Sequence, residues 1–400
     1  MKRIKQIVII PIVLIFGMIY SSCELIVAPD RTKIENSPEI PIVVEDILTY
    51  KEDKLKTSGS FDYAENKTYK DLKSNLIEDK VISFVTLQTI EDNATNRDTW
   101  TPQTRKTSST LSGVSFTDAN TGTVVGWSGT ILRTTDGGIN WTKQTSGTTE
   151  NLYGVSFTDA NNGTAVGSDG IILRTIDGGA SWTPQTSGTP QRLSGVSFTD
   201  AKNGTAVGYS STILRTTDGG ASWTPQSSPT TEALHGVYFT DANNGTAVGL
   251  DISGGTILRT TNGGVTWTKQ TSGTTQFLHG VSFTDANNGT VVGGGGTILR
   301  TINGGTNWTP QTSGTPQRLS EVSFTDANTG TVVGDNGTIL RTTNGGVSWT
   351  KQTSGITEDL YAVSFTDANN GTAVGDNGKI TRFTKGGKFD IDVKFKDVSG

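Results

Sequence analysis

Three observations predict an all-β fold, a seven-bladed β-propeller of four-stranded antiparallel blades. First, a unit of 41 residues recurs from Trp100 to about Phe383. Its phrase Val-x-Phe-Thr-Asp-Ala begins at Val114, Val155, Val196, Val237, Val281, Val322 and Val363, with one step of 44 residues between Val237 and Val281. Second, each unit is a string of short β-branched runs broken by Asn-Gly and Asp-Gly, and Gly makes up 50 of 400 residues, a composition of turns rather than helix. Third, the array opens on a lone final segment at Trp100 and closes on a copy that lacks one. A period in this range belongs to units that bury their apolar faces only when neighbours stack on them.

The copy from Leu152 to Gln185 shows how one blade is built. Leu152–Thr158 is apolar-rich, Asp159-Ala-Asn-Asn-Gly163 is a turn, and Thr164–Gly167 is a second run. Ile171–Thr175 follows, then Ile176-Asp-Gly-Gly179 turns into a fourth run at Trp182–Gln185. Such spacing predicts a meander. Both parities of the first run are apolar or small, as a sheet covered on both faces requires.

Seven Trp-Thr-x-Gln phrases begin at Trp100, Trp141, Trp182, Trp223, Trp267, Trp308 and Trp349, yet the last copy, Leu360 to Phe383, has no Trp of its own. Trp100–Thr104 is therefore expected to complete blade seven and remove the open edges. An alternative candidate is Phe389-Asp-Ile-Asp-Val-Lys-Phe395, which also alternates like a strand.

Six copies carry a Thr-x-Asp/Asn-Gly-Gly-x-x-Trp turn: Asp136 with Trp141, Asp177 with Trp182, Asp218 with Trp223, Asn262 with Trp267, Asn303 with Trp308, and Asn344 with Trp349. The turn resembles the Asp-box of bacterial neuraminidase repeats. Its logic is local: the Asp or Asn bonds its own turn, Gly accepts positive φ, and the Trp packs beneath. These residues read as structural. The blade text as a whole, Phe-Thr-Asp-Ala-Asn-Asn-Gly-Thr-Ala-Val-Gly followed by Ile-Leu-Arg-Thr-x-Asp-Gly-Gly-x-x-Trp, resembles the photosystem II assembly and stability factor family of seven-bladed propellers. That resemblance implies a non-enzymatic binder of membrane-protein partners; a fold alone fixes no function.

The N-terminus is of another kind. Met-Lys-Arg-Ile-Lys precedes an apolar run from Ile7 to Ile19 and then Ser21-Ser22-Cys23. This reads as a signal peptide over residues 1–23, with an apolar stretch too short to span a membrane. Cys23, the sole cysteine, falls where a bacterial lipoprotein signal places its acylated residue, although Tyr20 stands where Leu is usual. The expectation is an exported, membrane-anchored envelope lipoprotein, monomeric and without a cofactor. Residues 24–99 hold 16 acidic and 10 basic residues and read as an acidic tether and partly structured arm, in which Val81–Ile90 is a candidate strand. The propeller is assigned to 100–384 and a tail to 385–400. With a pI near 5.2 and no basic stripe, nucleic acid is not an expected partner.

Enzymatic chemistry would have to break the ring's symmetry. Glycoside hydrolysis, as in Asp-box sialidases, needs two distinct carboxyl groups around one bond. Here the acids recur equivalently at Asp118, Asp159, Asp200, Asp241, Asp285, Asp326 and Asp367, and the arginines at Arg133, Arg174, Arg215, Arg259, Arg300, Arg341 and Arg382. They fall on one face, where structural Arg–Asp pairing is expected. No catalytic residue is assigned.

The copies differ elsewhere. The loop after the second strand reads Trp127-Ser-Gly, Ser168-Asp-Gly, Tyr209-Ser-Ser, the insertion Leu250–Gly255, Gly294-Gly-Gly, Asp335-Asn-Gly and Asp376-Asn-Gly. At the start of the first strand, Ser112, Tyr153, Ser194, His235, His279, Ser320 and Tyr361 share one site. In a meander these lie at one end, opposite the constant loops. Variation over a constant scaffold marks them, with Trp127 and Tyr209, as candidate binding residues for a protein or glycan. His235 and His279 lack a third ligand and are not assigned to a metal. An architectural alternative makes the ring a spacer that carries the acidic arm.

Overall fold

The structure, a computed structural model, describes residues 98–386 in full and, by backbone alone, the short strands Ser58–Ser60, Val85–Thr86, Asp390–Asp392 and Lys394–Phe395. The signal-like segment and Cys23 lie outside the described residues, as does most of the acidic arm. Contacts divide the chain into a unit spanning Arg97–Gly386 and a second unit made of 1–96 with 387–400.

The first unit is a ring of seven four-stranded antiparallel sheets. In blade one the strands are Leu111–Phe116, Gly122–Gly126, Thr130–Thr134 and Thr142–Gln144. Blades two to six repeat this order. Blade seven takes Leu360–Phe365, Asn370–Gly375 and Ile380–Thr384 from the end of the array, and its outer strand is Thr99–Pro102. Trp100 pairs with Phe383 across that seam. The alternative closing segment is not used: Asp390–Asp392 pairs with Ser58–Ser60, and Lys394–Phe395 with Val85–Thr86.

Each inter-blade core is one face of a blade packed on the back of the previous one. Between blades one and two, Val125 and Ile131 meet Leu152, Phe157, Ala165, Leu173 and Trp182, all buried. The Trp edge meets the Phe ring, as in Phe157–Trp182 with centroids 6.0 Å apart at 82°, a favourable arrangement for two quadrupoles. The Phe ring in turn lies over the glycine that opens the second strand. A Cβ at Gly163 would clash with the Phe157 ring, and the same holds for Phe116 over Gly122 and its five other counterparts. Glycine is required there by close approach.

Hydrogen bonds tie neighbouring blades at two further levels. Around the inner strands, Ser115 Oγ accepts from Phe157 N–H and Ser156 Oγ from Phe198 N–H, both at 3.1 Å. These bonds satisfy N–H groups on an edge that has no ladder partner. The step from blade four to blade five lacks this bond because Tyr238 replaces the serine. Towards the outside, Gln144 Oε1 accepts from Trp182 Nε1 at 3.2 Å while its Nε2 donates to Gly178 O at 3.0 Å. Gln270 and Gln311 staple the next blade in the same way, whereas Gln103, Gln185 and Gln226 donate to carbonyls of their own strands.

Blade seven solves the same packing with other residues. Thr381 stands where the repeat has Leu, and Phe383 where it has the Thr of the Gly-Gly turn. Phe383 packs 5.3 Å from Trp100 and 5.4 Å from Phe365, restoring the apolar volume at the seam.

Candidate functional site: the variable end of the ring

The constant face is held by its own contacts. Asp118 Oδ1 accepts from the N–H groups of Asn120 and Thr121 at 2.8 and 2.9 Å, and these bonds hold its carboxyl below the usual range, Asn120 contributing most. Asp177 Oδ1 accepts from Thr175 Oγ1 and Ser181 N–H at 2.7 and 3.0 Å, and Oδ2 from Ser181 Oγ at 2.6 Å. Ser181 chiefly brings that carboxyl down to about 2. The Asn turns keep the same scheme, with Asn262 Oδ1 accepting from Thr260 Oγ1 and Thr266 N–H.

The expected Arg–Asp pairs do not form, which corrects the reading from sequence. Arg215 donates instead to Thr205 Oγ1 at 3.1 Å in its own blade and to the Ala242 carbonyl of the next at 3.0 Å, with its guanidinium 5.3 Å above the Phe239 ring. Arg259, Arg300 and Arg341 repeat this arrangement. Burial pulls each of these guanidiniums down, and the nearby Asp only opposes that as a distant charge. The physical reason is competition: each Asp sits within reach of its own loop's N–H groups before any arginine arrives. These buried arginines clamp blades and do not form an open basic ring.

At the other end the structure adds a feature the repeat did not reveal. Every first strand carries a β-bulge near its start, between Leu111 and Gly113 in blade one and at the equivalent place in all others. The bulged residues are Ser112, Tyr153, Ser194, His235, His279, Ser320 and Tyr361. A bulge leaves its residue outside the ladder and re-aims its side chain, so the most varied column sits on the position freest to vary. The loops after the second strands close over it: Trp127 N–H bonds Thr110 O and Tyr209 N–H bonds Arg192 O, each at 2.9 Å.

Four adjacent blades contribute a row of planar groups. The Arg192 guanidinium lies 3.6 Å from the Tyr153 ring and 4.9 Å from Tyr209. Tyr209 approaches His235 at 6.3 Å, and His235 stacks on His279 at 5.1 Å and 7°. The two Nδ1 atoms are 3.2 Å apart, and His235 Nδ1 is 3.1 Å from Leu278 O. Burial lowers both imidazoles, His279 to about 3 with help from His235 and Arg318, so the pair is neutral at neutral pH. No group of three His, Cys, Asp or Glu placed for a metal occurs among the described residues. In the next two blades Arg318 pairs with Asp335 at 2.8 Å, and Tyr361 Oη donates to Asp376 at 3.1 Å. Ser112, Ser194 and Ser320 join the column without reaching either cluster.

Exposed aromatics gather at this end: Trp127 is 47% exposed, Tyr209 40% and Phe277 51%. Apolar exposure at the constant end is limited to aliphatic side chains at turn tips, such as Ile139 and Val347. A crevice on the constant face between blades seven and one, lined by Phe116, Ser364 and Arg382, has a cavity volume of about 10 Å³, room for about one water and far under the ~300 Å³ at which ligand clefts begin.

Two residues at the variable end escaped the sequence reading. Arg192 lies one position before the first strand, outside the column. Glu321 occupies a column otherwise filled by Gly113, Gly154, Gly195, Gly236, Gly280 and Ala362, and a lone carboxyl in that column was the available signal. Its Oε1 accepts from Val322 N–H at 2.9 Å and sits beside Gly280. Burial pushes its carboxyl up to about 8, the N–H groups of Val322 and Val281 opposing.

The family model described as photosynthesis system II assembly factor YCF48 matches residues 92–184, 145–224, 270–353 and 307–389, together well over half of the chain. This chain belongs to the YCF48 family. Among solved structures, YCF48 bound to D1 peptide is 22% identical, covering 72% of this chain and 97% of that one with a TM-score of 0.61. YCF48 from Cyanidioschyzon merolae is 21% identical over 71% and 98%, at 0.60. The GH74 enzyme of Niastella koreensis is 16% identical over 70% of this chain and 53% of its own, at 0.58. At these identities the structural likenesses establish the fold alone. A search of curated proteins finds no match. The YCF48-family ring is the scaffold on which the bulged column and its loops vary.

Proposed function

We propose that this YCF48-family propeller is a non-enzymatic binding protein of the bacterial cell envelope, and that its variable end docks a protein partner. One observation carries the reading. The constant end directs its aspartates and arginines into its own turns and blade joints, whereas the variable end leaves Trp127, Tyr209 and Phe277 open to solvent. Exposed aromatics beside a charged mouth are the usual anchors of protein recognition. The relative whose structure contains a D1 peptide supports a peptide-like partner. The repeated carboxylates, each bonded within its own loop, are poorly suited to work as a hydrolytic pair.

The exported protein used as bait on envelope extract should recover a partner that Trp127→Ala with Tyr209→Ala loses by tenfold or more, the scale of hot-spot truncation. Recovery equal to wild type would remove this face from the proposal. Export and anchoring rest on the apolar leader and Cys23. Cys23→Ser is expected to move the protein from the membrane to the soluble fraction; retention on the membrane after carbonate washing would exclude acylation as the anchor.

A further inference from the structure

The tripeptide Gln-Arg-Leu occurs twice at the start of a blade, as Gln191-Arg192-Leu193 and Gln317-Arg318-Leu319. In blade six, the residue opening the neighbouring loop is Asp335, whose Oδ1 accepts from Arg318 Nε at 3.0 Å and from Nη2 at 2.8 Å. In blade three the same loop position is Tyr209. Arg192 forms no ion pair among the described residues. Its Nη1 makes one long bond to Tyr209 Oη at 3.4 Å, and its Nε is buried with no partner at all. A shielded donor on a charged group is costly to leave unmade.

The surroundings hold this cation in place and leave its edge coverable. Tyr153 at 3.6 Å fixes the guanidinium plane from one side through cation–π attraction. Tyr209 covers the other side and is 40% exposed, so its ring has room to turn outward. That would bare the edge that Asp335 occupies in blade six. The loop carrying Tyr209 is also the one built against backbone preference. Ser211 holds φ of 59°, where blades one, two, five, six and seven place Gly129, Gly170, Gly296, Gly337 and Gly378. Strain of this kind persists where the surrounding structure imposes it.

We propose that Arg192, set between Tyr153 and Tyr209, is the subsite for a carboxylate of the docked peptide, supplied by an acidic side chain or a free C-terminus. The inference rests on the variable end being the docking face, and it names the chemistry of what docks there. The ligand supplies in blade three the acid that the chain itself supplies in blade six. A carboxylate is the matching group because its two oxygens meet the parallel N–H edge of a guanidinium.

The test is a displayed library of random peptides selected on the exported protein. The best binder is then resynthesised with each Asp or Glu changed to its amide, and with the C-terminus amidated. One such change should weaken binding at least tenfold, Arg192→Gln should do the same, and the two together should cost little more than either alone. Arg192→Lys, which keeps the charge without the planar edge, should recover only part of the loss. If Arg192→Gln binds the peptide as wild type does, while Trp127→Ala with Tyr209→Ala loses it, the subsite is overturned and the docking face stands. If neither variant affects any selected peptide, both are overturned.

Discussion

Replacing Trp100 with Ala should destabilise the ring more than the same change at any internal tryptophan. The local loss is similar in all blades, about 3–5 kcal/mol for a large buried aromatic. At Trp100, which is 6% exposed and packed on Phe365 and Phe383, the change also weakens the strand pairing that joins the ends of the array. Trp308→Ala leaves its strand held by the chain on both sides. Calorimetry of the two variants, with limited proteolysis as a second readout, would separate the effects. Earlier cleavage near Thr99–Pro102 is expected only for Trp100→Ala. Equal midpoints and equal cleavage would show that closure adds nothing to packing.

The second large effect should be a stability that declines from mildly acidic to mildly alkaline pH because of Glu321. Its carboxyl is raised to about 8 in the fold from an ordinary 4.5, with burial the main cause. A raised acid favours the folded state while that state holds the extra proton. The contribution is complete below about 4.5, shrinks as the unfolded chain ionises, and is gone once pH passes about 8. Each unit in that window is worth about 1.4 kcal/mol, so the decline across it is on the order of 5 kcal/mol. Glu321→Gln, which retains an acceptor for Val322 N–H, should flatten the profile. Denaturation midpoints at several pH values across the window would show it, and an unchanged slope in the variant would assign the decline to other groups.

What the chain revealed, and what it withheld, follows from the range of each interaction. Short-range chemistry was legible: Asp-Gly-Gly and Asn-Gly-Gly turns, alternating β-branched runs and a missing final Trp together led to seven blades and to closure by Trp100. The Arg–Asp expectation failed because placing two groups on one face says nothing of which competitor is nearer, and for Asp118 the nearer donors were Asn120 and Thr121. The bulge under Ser112, Tyr153 and their counterparts is a property of register, which no single strand encodes. Arg192 was missed for a related reason. Its significance lies in a contrast between blades three and six, and the contrast appears only when Tyr209 and Asp335 are seen to occupy one place.

The seam between Thr99–Pro102 and Ile380–Thr384 also sets an order of events during biosynthesis. The ring's first strand pairs with its last, so it must wait unpartnered while six other blades emerge. Nascent intermediates would display an unsealed Trp100 ribbon at one end and an incomplete sheet at the other, surfaces that invite misassembly with a second chain. A ring closed this way can complete its last sheet only when the whole array is present to fold.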